Sequence, residues 1–135
     1  MSNFERDPRL FIPHRRPLLC IDRVIEADME KALAERDVVE DSQILDGQLW
    51  EGGLLEGLTQ TAAVLLNRIL EEGGHRLRKG VLVGIRGLPI ARRPRLGEKV
   101  LFRVSLLRVL FPLCLVRCEA RVGDAVIAAG QMKFF

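Results

Sequence analysis

Tyrosine is absent and tryptophan occurs once among 135 residues, with an aromatic share of only 5%. The stacking platforms that hold single-stranded nucleic acid are therefore missing. The net charge of +3 is mild, and Lys and Arg are scattered among Asp and Glu. That pattern gives little reason to expect a nucleic-acid partner and weak support for an acidic one. No run of about 18 apolar residues exists, so no membrane span is expected. The opening Met-Ser-Asn-Phe-Glu-Arg-Asp-Pro lacks the apolar core of a secretory signal, and a cytoplasmic protein is expected. Cysteine is scarce and odd in number: Cys20, Cys114 and Cys118 read as reduced core residues rather than a disulfide framework. With only His14 and His75 to assist, their spacing is a poor zinc pattern, and neither metal nor cofactor is expected.

What is present is apolar residue, 48% of the chain, enough for one core in a single domain spanning residues 1–135. The longest regular stretch begins Glu51-Gly-Gly-Leu-Leu-Glu-Gly-Leu-Thr-Gln-Thr and runs to Leu70, ahead of a Gly73-Gly74 stop. It reads as a helix that is apolar nearly all round, hence buried. One thin polar line survives on it: Glu56, Thr59, Gln60 and Asn67. Such a line is either the solvent edge of the helix or a place where a carboxylate does chemistry, because burying an unpaired charge is costly.

Around the helix the pattern is of strands. Residues 8–16 read as a turn or helical lead-in, 17–27 as a strand, and 31–39 as its return, although Ala, Leu and Glu there also favour helix. Residues 40–50 look like a loop and 75–79 like a basic surface loop. Then come 81–90, bent or bulged near Gly84 and Gly87, a turn at 91–98, and an alternating run at 99–109. A break at Phe111-Pro112 precedes 113–121, and Gly123-Asp124 makes a tight hairpin into 125–134. Short connections imply antiparallel neighbours. One apolar helix among such strands predicts an α+β hot-dog fold, the long central helix wrapped by an antiparallel sheet of five or six strands. The open sheet edge and the uncovered helix side make dimerisation an economical remedy.

Three co-linear stretches resemble the β-hydroxyacyl-acyl-carrier-protein dehydratases. Ile12-Pro-His-Arg-Arg-Pro-Leu-Leu-Cys-Ile-Asp-Arg-Val24 is similar to that family's opening signature, and Glu56-Gly-Leu-Thr-Gln-Thr-Ala-Ala63 to its central-helix segment. Gly84-Ile-Arg with Arg93-Pro-Arg-Leu-Gly-Glu98 looks like its later Gly-Ile and Arg-Pro elements. The resemblance implies removal of water from a 3-hydroxyacyl thioester, with a His and a Glu or Asp supplied by two subunits. The helix carboxylate maps onto Glu56 and a neighbouring Gln onto Gln60. Backbone amides at Gly52 and Gly53 would polarise the thioester carbonyl at the positive end of the helix. Leu54, Leu55 and Leu58 would help line an acyl tunnel. Arg92, Arg93 and Arg95 could dock an acidic carrier protein, unless they form an ordinary solvated turn.

The departure lies in the loop before the helix. The family carries its catalytic His there, whereas this chain has Ile44-Leu-Asp-Gly-Gln-Leu-Trp-Glu51, and counting back from Glu56 puts Asp46 at the histidine's place. His14 belongs to the Pro-His-Arg signature and reads as structural, and His75 reads as a solvated loop residue. Abstraction of an α-proton needs a base poised near neutral pH. Without a His that work falls to Glu56 or Asp46 with a raised pKa, or is lost, unless a partner subunit supplies the missing His. The dehydratase-like proteins of aryl-polyene pathways resemble this chain in the Pro-His-Arg start, a Leu-Asp loop and the Gln-Thr helix. Three readings follow. The chain is a dehydratase, or the acid-donating half of one, acting on an acyl carrier protein or coenzyme A thioester as a homodimer or with a second hot-dog subunit. Alternatively it is a hot-dog thioesterase using Glu56 with Thr59, Thr61 or Gln60 orienting water, or a non-catalytic partner subunit.

Overall fold

A computed structural model describes residues 6–13, 15, 18–72, 82–110 and 113–134. His14, His75 and the expected Gly73-Gly74 helix stop, the basic loop at 75–79 and the break at 111–112 lie outside the described residues. A 3-10 turn at Pro8–Leu10, capped by the Asp7 side chain, provides the helical lead-in. The strands are β1 (Arg23–Ala27), β2 (Lys31–Asp37), β3 (Ile44–Leu45), β4 (Gln48–Leu49), β5 (Leu82–Arg86), β6 (Lys99–Leu110), β7 (Leu113–Val122) and β8 (Ala125–Phe134). One helix, α1 (Glu51–Glu72), stands between β4 and β5. Six strands form one antiparallel sheet in the order β1-β2-β6-β7-β8-β5, and β3 and β4 make a separate small hairpin.

The alternation of the strands sorts residues between the two faces of the sheet. In β2 every second residue is buried, so Ala32, Ala34 and Arg36 point inward. Val100, Phe102 and Val104 of β6 and Cys114, Val116, Cys118 and Ala120 of β7 do the same. α1 lies across this inner face, principally against β6, β2 and β7. Close approach is possible because Gly57 has no side chain. A Cβ there would stand 2.3 Å from the fully buried Phe102 ring, so the ring occupies the notch that glycine leaves.

Two expectations need correction. The first strand is shorter than residues 17–27: Leu19, Cys20 and Ile21 are buried but not paired in the sheet. The reason is tertiary, since the Gln60 side chain takes the Cys20 N–H and the Leu18 carbonyl that a neighbouring strand would otherwise have bonded. The loop at 40–50 contains a hairpin, too short for periodicity to reveal. As expected of a hot-dog fold, the sheet covers one side of the helix, and Gly52, Leu55, Glu56, Thr59, Ala63 and Leu66 form a half-buried stripe down the other. β5 is bulged between Leu82 and Gly84, as expected, and is followed at once by Gly87 with φ 57°. All three cysteines are buried and unpaired, and burial pushes the Cys118 thiol up to about 11. Among the described residues no helix is long and apolar enough to cross a membrane, and no cluster of metal-ligand side chains occurs.

Candidate functional site at the start of the helix

The hairpin before α1 is built by its turn. Asp46 and Gly47 both have positive φ, 55° and 73°, as a two-residue turn matched to strand twist requires. Asp tolerates this left-handed backbone better than most side chains. The hairpin is laid onto the segment before β6: the Leu49 N–H donates to the Pro94 carbonyl at 2.7 Å, and the Leu96 N–H to that of Gly47 at 3.0 Å. The Arg93 guanidinium donates twice to the Gln48 side-chain oxygen, at 2.7 and 3.1 Å. Arg92 grips Glu98 with two bonds of 2.8 and 2.9 Å, and the Arg95 N–H donates to the same carboxylate. The Arg92 side chain thereby holds the Glu98 carboxyl down at about 2. Of the three arginines singled out for docking, two are thus engaged internally, and Arg95 alone presents a guanidinium without such a bond.

Inside the hairpin a polar chain runs toward the helix. Arg36 is 3% exposed and donates to Gln43 Oε1 at 2.7 Å and to Asp41 at 3.2 Å. Gln43 in turn donates to the Cys20 sulfur at 3.4 Å. It also packs against the helix start: a Cβ on Gly53 would stand 2.7 Å from Gln43 Oε1, which is why glycine fits there. Gln60, fully buried, carries the chain onward. It accepts from the Cys20 N–H at 2.7 Å and donates to the Leu18 carbonyl at 2.7 Å and to Glu56 Oε1 at 3.2 Å. Every polar atom of the Gln60 amide is therefore bonded, and its second N–H aims the half-buried Glu56 carboxylate. Gln60 is a positioning residue for Glu56 rather than part of the open polar line.

The other expected site residues fall as follows. Asp46 sits at the exposed tip of the hairpin and makes no hydrogen bond to Glu56 or to any other described residue. The Gly53 N–H donates to the Trp50 carbonyl at 3.0 Å, which leaves Glu51 and Gly52 as the first-turn amides without an intrahelical acceptor. Leu54 and Leu58 are fully buried in the core, whereas Leu55 lies on the half-buried stripe beside Glu56. Thr59 and Thr61 each donate to the carbonyl four residues back, at 3.0 and 2.7 Å, so neither hydroxyl proton is offered to the stripe. Sequence reading missed Gly57, Gln43 and Arg36. Only the first left a signal, since a mid-helix glycine costs about 1 kcal/mol against alanine and asks for a packing reason.

The chain is similar to several known proteins. Residues 6–135 match the model of the ApeP-like family, described as ApeP dehydratase. The chain is 26% identical over 136 residues to the 3-hydroxyacyl-[acyl-carrier-protein] dehydratase FabZ of Thermoanaerobacter pseudethanolicus, covering 96% of this chain and 94% of that one. The dehydratase heterocomplex ApeI:P from Xenorhabdus doucetiae contains a chain similar in fold, with a TM-score of 0.86 at 18% identity over 96% of this chain and 90% of that one. A hypothetical thioesterase with coenzyme A from Streptococcus pneumoniae shares the fold at a TM-score of 0.71 and 11% identity, covering 83% of this chain and 82% of that one.

Proposed function

The chain belongs to the ApeP-like dehydratase family, and from that membership we propose that it is the acid-donating half of a two-subunit dehydratase acting on 3-hydroxyacyl thioesters. The observation that carries the reading is Glu56, held half-buried at the helix start by the fully buried Gln60, in a chain with Asp46 where the family's loop histidine would stand. In this reading a second hot-dog subunit presents a histidine opposite Glu56. The histidine removes the proton from C2 while Glu56 protonates the leaving 3-hydroxyl. Water departs and the C2–C3 double bond forms. The Gly52 amide, at the positive end of α1, steadies charge on the thioester carbonyl, and Leu55 lines the acyl path. Asp46 could assist at the hairpin tip only if the partner closes over it. A heterocomplex of two dehydratase subunits among the fold relatives supports this assembly, and a carrier-protein thioester is the substrate named for the FabZ relatives. A cytoplasmic setting goes with such a substrate.

A thioesterase using Glu56 is less well supported, because Thr59 and Thr61 already give their protons to helix carbonyls and so lack a donor for positioning water. Co-purification from the native host, followed by assay on a 3-hydroxyacyl carrier protein and on an acyl coenzyme A, tests the proposal. Dehydration only in complex with a histidine-bearing hot-dog subunit is the expected result. Hydrolysis by the chain alone would replace it with the thioesterase. Full dehydration by a complex carrying Glu56→Ala would leave this chain a non-catalytic partner.

A further inference from the structure

The outer face of the sheet, turned away from α1, divides into two halves of different electrostatic character. On the β1–β2 side each cation is answered in place. Arg23 meets Asp37 at 2.9 Å and Glu35 at 3.2 Å, and Lys31 meets Glu26 at 3.5 Å. Further along, Arg121 pairs with Glu119, which also faces Arg103 across the strands. On the β7–β8–β5 side no such answer exists. One register row runs Arg117, Gln131, Arg86, and the next runs Arg108, Leu115, Lys133, Gly84. The four basic side chains in those rows are exposed and make no hydrogen bond or ion pair among the described residues.

Arg86 and Lys133 line a depression of about 300 Å³ together with Leu115 and Gly84, and Arg117 and Arg108 stand at the neighbouring register positions. Beyond the second row the β6–β7 hairpin adds Leu110, 60% exposed, on the same face. Apolar side chains interspersed with unneutralised cations are the complement of an amphipathic acidic surface. Unpaired like charges held side by side repel one another, and only an external anion relieves them.

We propose that this face docks the acidic surface of the acyl carrier protein, in place of the Arg92–Arg95 turn. The proposal rests on the dehydratase reading for its choice of acidic partner. Arg92 and Arg93 are occupied in holding the hairpin, whereas Arg86, Arg108, Arg117 and Lys133 are free to meet a partner's carboxylates.

The test measures binding of the holo carrier protein to the full-length protein in its native complex, alongside turnover of a small carrier-free 3-hydroxyacyl thioester. Arg117→Glu and Lys133→Glu should each weaken carrier binding by about tenfold or more at low salt, an effect that fades as salt rises. Arg95→Glu should change it by less than about twofold, and none of the three should alter turnover of the small thioester. If a charge reversal impairs folding, Arg117→Gln and Lys133→Gln give a smaller loss of the same kind. Loss of binding with Arg95→Glu but not with the sheet variants would overturn the proposal. So would wild-type protein that turns over the small thioester yet binds anionic vesicles or RNA and not the carrier. That result would leave the dehydratase reading intact. Carrier binding sensitive to the sheet variants without any turnover would uphold the docking face and refute the dehydratase.

Discussion

The two sides of α1 are made of the same helix and obey different rules. Toward the sheet, Leu54, Gly57, Leu58, Ala62 and Leu65 are buried to within a few per cent, and Phe102 fills the space that Gly57 leaves. Toward the open side, Gly52, Leu55, Glu56, Thr59 and Ala63 stay half-covered, and the polar atoms there are tied to helix carbonyls or to Gln60. The sheet side decides whether the chain folds, and the open side decides what the folded chain can do. Gln60 sits on the boundary, buried like the first set and bonded to the second.

Breaking the sheet side gives the largest expected effect. Phe102→Ala should cost about 3–5 kcal/mol in chemical denaturation, because the notch around Gly57 cannot collapse onto so small a residue. A cost under about 1 kcal/mol would mean that the ring is not the keystone of the packing. On the open side, Glu56→Gln should reduce dehydration by the complex at least about a hundredfold. The same substitution should leave stability within about 0.5 kcal/mol, since size and hydrogen-bonding capacity are kept. Loss of both together would erase the division of labour between the faces.

Gly57→Ala sharpens the contrast from the other direction. By helix propensity alone it should stabilise by about 1 kcal/mol. Against Phe102 it should instead destabilise by about 1–3 kcal/mol, and a rise in melting temperature would show that the ring yields. The smallest effect comes from acid acting on the clamp beneath the hairpin. The Arg92 hydrogen bonds hold Glu98 at about 2, below its ordinary 4.5. A carboxyl depressed in the folded state contributes stability that is fully present above pH 4.5 and is lost as pH falls through about 2. For a half-buried pair at the surface, screened by solvent, the contribution is about 0.5 kcal/mol. The stability difference between wild type and Glu98→Gln should therefore shrink between pH 5 and pH 2, and a constant difference would remove the clamp from consideration.

Much of this was legible beforehand, and for identifiable reasons. The helix, the β6–β7–β8 meander and the Gly84 bulge announce themselves through period and through glycine, both local properties. The half-open helix stripe could be seen only as a polar line, since the residues that cover the other side come from β2, β6 and β7. Leu19–Ile21 read as strand because it is apolar and β-prone, yet its backbone partner is a side chain forty positions away. No local rule reaches that far. Nothing local to β2 marks Arg36 as buried, because its burial depends on Gln43 and Asp41 arriving from the segment before the hairpin to receive it. Asp46 lies in the turn of the β3–β4 hairpin, and its distance from a facing subunit is set by assembly, which no local pattern encodes.

The glycines of α1 also bear on the order in which the molecule forms. Three fall within its first seven positions, and glycine is the poorest non-proline residue at propagating a helix. The N-terminal half of α1 therefore has almost no tendency to form alone and must borrow its order from β6. The meander is joined by short turns and closes without long loops. Folding should accordingly begin there and reach the helix start last, with low φ-values at Leu54 and high ones at Val116, and the opposite pattern would reverse the sequence of events. What forms last opens first. The acid on which the proposed chemistry depends thus stands in the least self-sufficient turn of the protein, where a second subunit has the most to gain by holding it shut.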